Sequence, residues 1–216
     1  MLFNEIPTFE QSTKGYRHSS EPILLADFAD VHSGDQILDI GTGCGIIPIL
    51  ILHRVSELKI TAIEVQESLV KMAQNNIRRH GLAEEITLIH GDFRIEKNSM
   101  LRDSFDLITS NPPYGNLNEG KINPMHEKAI ARHELKLNLK SLVMGSAQLL
   151  KPNGKIYLSY PPERFEEVKN ELMAQELNPS RYFFAHGGKN KKPQFFVMEA
   201  LKSSVTNCVK LKSKQI

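Results

Sequence analysis

Short runs rich in Ile, Leu and Val alternate along this chain with amphipathic stretches, and that alternation leaves few folds open. "QILDIG" (36–41), "KITAIEV" (59–65), "ITLIHGD" (86–92), "FDLITSN" (105–111) and "GKIYLSY" (154–160) are each bounded by Gly, Asp, Asn or Pro. Runs of this length and composition read as strands buried on both faces. Between them, "ESLVKMAQNNIRRHG" sets Leu69, Met72, Ala73, Asn76, Ile77 and His80 on one helical face and stops at Gly81. Residues 134–150 repeat the helical pattern. "PERFEEVKNELMAQ" (162–175) opens with Pro and places acids in its first turns, where the helix dipole favours them. Strands alternating with helices predict an α/β protein, a parallel sheet with helices on both faces. Two later runs, "RYFFAHG" (181–187) and "FFVMEAL" (195–201), have only "GKNKKPQ" between them. They predict a hairpin, with one strand running antiparallel at the sheet edge.

The chain has 216 residues, 40% hydrophobic and 24% charged, so one sizeable core and one domain are expected. It has no apolar run of membrane-spanning length and no secretory leader at its start, which predicts a cytoplasmic protein. Cys44 and Cys208 lack the paired spacing of a zinc site, so free thiols and no metal are expected. The net charge of +2 is unevenly spread. From residue 181 onward Arg181, Lys189, Lys191, Lys192, Lys202, Lys210, Lys212 and Lys214 face a single acid, Glu199. Such an end either touches phosphates or is simply solvated.

"LDIGTGCGI" puts Gly41, Thr42, Gly43 and Gly45 at the turn from the first strand into the first helix. Glycine there lets backbone approach a ligand at positive φ. The spacing differs from G-x-G-x-x-G, and an acid, Asp39, sits inside the strand just before it. Glu64 closes the second strand, where a carboxylate accepts ribose hydroxyls. Asp92 closes the third, positioned for an adenine amino group, with Phe93 expected to pack on the ring. All three acids fall at carboxyl ends of consecutive strands, the edge where open α/β sheets bind ligands. With these features the sequence resembles the Rossmann-like class of S-adenosylmethionine-dependent methyltransferases over residues 34–201. The resemblance implies a seven-stranded, mostly parallel sheet with an antiparallel last strand. It also implies S-adenosyl-L-methionine as cofactor, with Asp39 and the glycine loop near its methionine part, Glu64 on the ribose and Asp92 on the adenine.

The fourth strand ends in "SNPPYG". As a turn this needs no further reason, since Asn-Pro punctuates strands. Beside a methyl donor, however, Asn111-Pro112-Pro113-Tyr114 resembles the N/D-P-P-Y/F/W signature of enzymes that methylate a planar nitrogen. The Asn111 side-chain oxygen and the Pro112 carbonyl would accept the two amino hydrogens, and Tyr114 would stack on the flat substrate. Flanking segments narrow the resemblance: "TFEQSTKGYRHSSEPILLADF", "AIARHE", "LLKPNGKIYLSYPPERFEEV" and "AHGGKNKKPQFFVMEA" are similar to the tRNA1(Val) adenine-37 N6-methyltransferases. Departures fall at His18, at Glu21 and at Gly187-Gly188. The family implies N6-methylation of an adenine in RNA, most specifically a tRNA anticodon loop. A DNA base or a protein glutamine as acceptor, and a tRNA-binding protein that retains only the fold, stand as alternatives. It further implies an N-terminal segment (1–33) capping the site with Tyr16 and Arg17, the core at 34–201 and a basic tail at 202–216. RNA contacts are expected from Arg132 in the long loop 115–133 and from Lys189, Lys191 and Lys192 in the last hairpin.

Overall fold

The computed structural model describes residues 7–10, 20–112, 138–188, 191–203 and 208–215. Tyr16, Arg17, Pro113, Tyr114, Arg132, Lys189 and the loop 115–133 lie outside the described residues.

All seven anticipated strands are present: β1 (Gln36–Ile40), β2 (Lys59–Glu64), β3 (Ile86–His90), β4 (Phe105–Ser110), β5 (Leu150–Tyr160), β6 (Leu177–His186) and β7 (Pro193–Lys202). They form one sheet in the order β3-β2-β1-β4-β5-β7-β6. Neighbours from β3 to β5 pair in parallel, and β7 runs antiparallel to both β5 and β6. The antiparallel strand therefore lies inside the sheet rather than at its edge. The β6–β7 hairpin folds inward, so that β7 inserts between its own partner and β5.

Among the described residues the sheet also has nine strands, not seven. β8 (Val209–Lys210) and β9 (Lys214–Gln215) both pair in parallel with β6. The basic end of the chain is thus only partly solvated. Leu211 packs on the core and donates its N–H to the Tyr182 carbonyl at 2.8 Å. Lys214 reaches the buried Asp27 carboxylate at 2.8 Å and lies over the Phe183 ring. Lys202 pairs with Asp103, and Arg181 with the buried Glu199. Half of the eight basic residues counted from the sequence are accounted for by these contacts and by Lys210 over Phe184.

β5 begins four residues earlier than its apolar pattern. Its register against β4 jumps from Leu150 opposite Phe105 to Lys155 opposite Leu107, so "KPNG" bulges out and the ladder resumes beyond it. Asn153 adopts φ 63° there.

Alternation along the strands feeds two cores. Ile37, Leu107, Tyr157, Phe183 and Val197 face helices α1 (Ser20–Phe28), α2 (Ile46–Arg54) and α3 (Glu67–Arg79). Leu38, Ile108, Ile156, Phe196 and Met198 face α4 (Phe93–Glu96), α5 (Leu139–Leu149) and α6 (Phe165–Ala174). Helix α1 has no counterpart in the sequence reading. Every residue from Pro22 to Phe28 is buried, so the helix lacks the polar face that periodicity detects. The carbonyls of Ala26 and Asp27 in its last turn, and of Ala29 just beyond it, all accept from the Arg54 guanidinium.

Candidate functional site

The carboxyl ends of β1, β2, β3 and β4 lie side by side because these strands are parallel and adjacent. Each sequence-predicted acid in the described region sits at that edge.

Asp39 and Thr109 are register partners on β1 and β4, and Thr109 donates its hydroxyl to Asp39 Oδ1 at 2.6 Å. The carboxyl is 1% exposed, and its other oxygen, Oδ2, has no hydrogen-bond partner among the described residues. Burial raises its pKa from 3.8 to about 6, against the lowering effects of the Thr109 and Thr42 hydroxyls. The buried Thr42 hydroxyl, three residues on, is near enough to Asp39 to lower its pKa, yet makes no hydrogen bond of good geometry among the described residues. Two buried polar groups without partners at one strand end are costly unless something else satisfies them.

The glycine loop that follows has the backbone the sequence requires. Gly41 and Gly43 adopt φ 73° and 59°, and a Cβ added at either would meet nothing within 4 Å. Glycine is needed there for its conformation, and the space beside it stays open to a ligand. The Gly41 and Thr42 N–H groups donate to the Ile63 carbonyl at the end of β2, at 2.9 and 3.0 Å. Gly43 N–H donates to Glu64 Oε2 at 2.9 Å. Glu64 Oε1 accepts from the N–H groups of Val65 and Gln66, each at 2.9 Å, so three backbone donors fix this buried carboxylate against the loop.

Asp92 lies two residues beyond the end of β3 and caps α4, accepting from Arg94 N–H at 3.0 Å. The Arg94 guanidinium also grips the carboxylate, with Nη2 at 2.7 Å from Oδ2. Phe93 departs from expectation. Its ring is 3% exposed and packs in the second core against Gly145 of α5, where a missing side chain makes room for it. It is not available to pack on a ligand ring.

Asn111 and Pro112 follow β4 directly, Asn111 half-buried and Pro112 buried. Their place is fixed by Ser110, whose buried hydroxyl donates to the Ile40 carbonyl at 2.7 Å, one residue before Gly41. The start of the tetrad is thereby tied to the glycine loop. Lys191 and Lys192 are exposed in the β6–β7 hairpin at the same sheet edge, where the Lys191 carbonyl lies 2.8 Å from His186 Nδ1. No group of residues suited to hold a metal ion occurs among the described residues. Among them, too, no helix is long and apolar enough to cross a membrane.

A buried strand-end acid, an open glycine cradle and a second carboxylate locked behind it thus lie together at the carboxyl edge of a Rossmann-like sheet. The model of the methyltransferase domain family matches residues 31–204. A tRNA1(Val) (adenine(37)-N6)-methyltransferase of Vibrio vulnificus is 34% identical over 195 residues, 90% of this chain and 80% of that protein. The enzyme of the same name from Bacteroides fragilis is 32% identical over 162 residues, 75% of this chain and 67% of that one. Among solved structures, a predicted O-methyltransferase from Agrobacterium tumefaciens superposes with a TM-score of 0.71 at 14% identity, covering 90% of this chain and 86% of that one. The chain belongs to the methyltransferase domain family and, within it, to the family of tRNA1(Val) (adenine(37)-N6)-methyltransferases.

Proposed function

We propose that this methyltransferase transfers a methyl group from S-adenosyl-L-methionine to N6 of an adenine in tRNA, in the anticodon loop. The observation that carries the reading is the placement of Asn111-Pro112 at the end of β4, joined through Ser110 and Ile40 to the glycine loop. The donor, when bound, supplies an electrophilic methyl on a sulfonium, and the unsatisfied Asp39 and Thr42 groups together with the open cradle fit such a ligand. Asp39 and the loop residues Gly41, Thr42, Gly43 and Gly45 hold the donor's amino-acid part. Glu64 accepts from its ribose, and Asp92 accepts from its adenine amino group once Arg94 shares the carboxylate.

An exocyclic amino group is a poor nucleophile because its lone pair is delocalised into the ring. Two fixed acceptors, Asn111 Oδ1 and the Pro112 carbonyl, take its hydrogens and turn the lone pair toward the methyl. Pro112 and Pro113 restrict the backbone that carries these acceptors, and Tyr114 stacks on the base. As the N–CH3 bond forms the S–CH3 bond breaks to leave S-adenosylhomocysteine, and the acidic methylated nitrogen then sheds its proton to solvent. Alignment and preorganised acceptors thus supply the rate, with no strong base required before transfer. A loop adenine is already partly unpaired, which lowers the cost of bringing it to the pocket. Lys191 and Lys192, with Lys189, Arg132, Tyr16 and Arg17, are the residues assigned to the RNA.

Asn111→Ala tests the grip. Single-turnover methyl transfer to unmodified tRNA should fall by about a hundredfold, the usual scale for losing one preorganised polar contact. Donor affinity measured by calorimetry should change far less. Retention of native turnover in this variant would exclude the assignment.

A further inference from the structure

Asn76 lies on the apolar face of α3, between Ala73 and Ile77, where helical spacing calls for a hydrocarbon. Its side chain is fully buried. A primary amide in that position is costly unless its hydrogen bonds are made, and here three of them are. Asn76 Oδ1 accepts the Glu10 N–H at 2.7 Å, and Nδ2 donates to the Glu10 carbonyl at 3.1 Å. The side chain thus meets Glu10 as a neighbouring strand would, with one donor and one acceptor. Nδ2 also donates to the Cys44 carbonyl at 2.9 Å. Cys44 is the residue between Gly43 and Gly45, so this bond holds the glycine loop itself.

The N-terminal residues are fastened along the same helix by further contacts. Asn75 Nδ2 donates to the Glu10 carboxylate at 3.1 Å. His80 Nε2 lies 3.2 Å from the Thr8 carbonyl, and the Phe9 and His80 rings stand with centroids 5.6 Å apart. Gly43 N–H is held by Glu64 from one side of the loop, and the Cys44 carbonyl by Asn76 from the other. Glycine positions at φ 73°, 59° and 83° give this loop many accessible conformations, so its shape depends on such anchors.

We infer that Asn76 is a positioning residue for the methyl donor: it fixes the Cys44 carbonyl and makes the docking of Thr8–Glu10 on α3 a determinant of donor affinity. The inference rests on the glycine loop being the donor cradle, as assigned above. Ordering the loop in advance lowers the cost of binding without altering the transfer step. Asn76 touches neither reacting atom, so its removal should raise the donor KM and leave kcat nearly unchanged at saturating donor.

Calorimetric titration of S-adenosylhomocysteine into the full chain tests this. Asn76→Leu keeps the branched shape of the side chain and removes all three bonds. It should weaken binding about tenfold, as expected for loss of buried hydrogen bonds, and raise the donor KM in step while kcat stays within about threefold. Glu10→Pro removes the N–H that Asn76 Oδ1 accepts, together with the carboxylate that Asn75 holds, while leaving Asn76 in place, and should weaken binding by a smaller factor. Unchanged affinity in a folded Asn76→Leu protein would overturn the inference. If that variant does not fold, unchanged affinity in Glu10→Pro overturns it instead. Gly43→Val separates the two levels of the claim. If it abolishes binding while Asn76→Leu binds normally, only the role of Asn76 fails; if it binds as tightly as the native chain, the placement of the donor site fails and this inference with it.

Discussion

Asp39 shows how a single residue's environment can be tested against its assigned role. Its carboxyl is held near pKa 6 by burial, against 3.8 for an unburied group. Between those values the folded chain keeps a proton that the unfolded chain releases, so Asp39 makes the native state progressively less stable as pH rises from about 4 to about 6. Two pKa units correspond to about 3 kcal/mol. Asp39→Asn removes this dependence. In urea titrations across that range, the stability of the variant relative to the native protein should climb with pH and level off above about 6. A difference independent of pH would contradict the assigned environment. The strand-end placement of Asp39 and Glu64 was legible in the sequence because each sits in or closes a compact apolar run. The Arg94 grip on Asp92 and the burial of Phe93 were not. Both depend on a short helix and on Gly145, which is distant in sequence and has no side chain to signal its role.

At the scale of elements, strands and amphipathic helices were legible wherever burial is one-sided or the apolar run is compact. Helix α1 was hidden by its all-round burial. The inward place of β7 was hidden because a hairpin fixes which strands pair but not which of them meets β5. Two predictions follow from packing at this level. A Cβ at Gly145 would stand 2.7 and 2.8 Å from Phe93 ring atoms. Gly145→Ala should therefore cost about 1–3 kcal/mol in urea denaturation through overpacking, whereas a surface helix glycine would gain stability from the same change. The tail strands were read from sequence only as basic residues, since two-residue strands carry no period. Ending the chain at residue 203 removes Leu211 from the core and Lys214 from Asp27. The melting temperature should drop, by roughly 2–4 °C for each 1 kcal/mol lost. An unchanged melting temperature would return the tail to the solvated reading.

For the whole molecule, two cores hold one sheet whose carboxyl edge gathers Asp39, the glycine loop, Glu64, Asp92 and Asn111 from four strands. Sequence order scatters these residues over more than seventy positions, and parallel pairing brings them to one rim. The family match accounts for the methyl donor, and the beginning of the NPPY tetrad carries the proposal for the kind of nitrogen. The macromolecule is assigned through relatives that share up to about a third of the residues. The central claim is thus the acceptor atom and the molecule that bears it. The direct measurement is incubation with labelled donor and a mixture of unmodified tRNA, DNA and protein, followed by mass spectrometry of the labelled nucleosides and residues. The account predicts N6-methyladenosine confined to a tRNA anticodon loop. Label recovered only in DNA or in glutamine would contradict it.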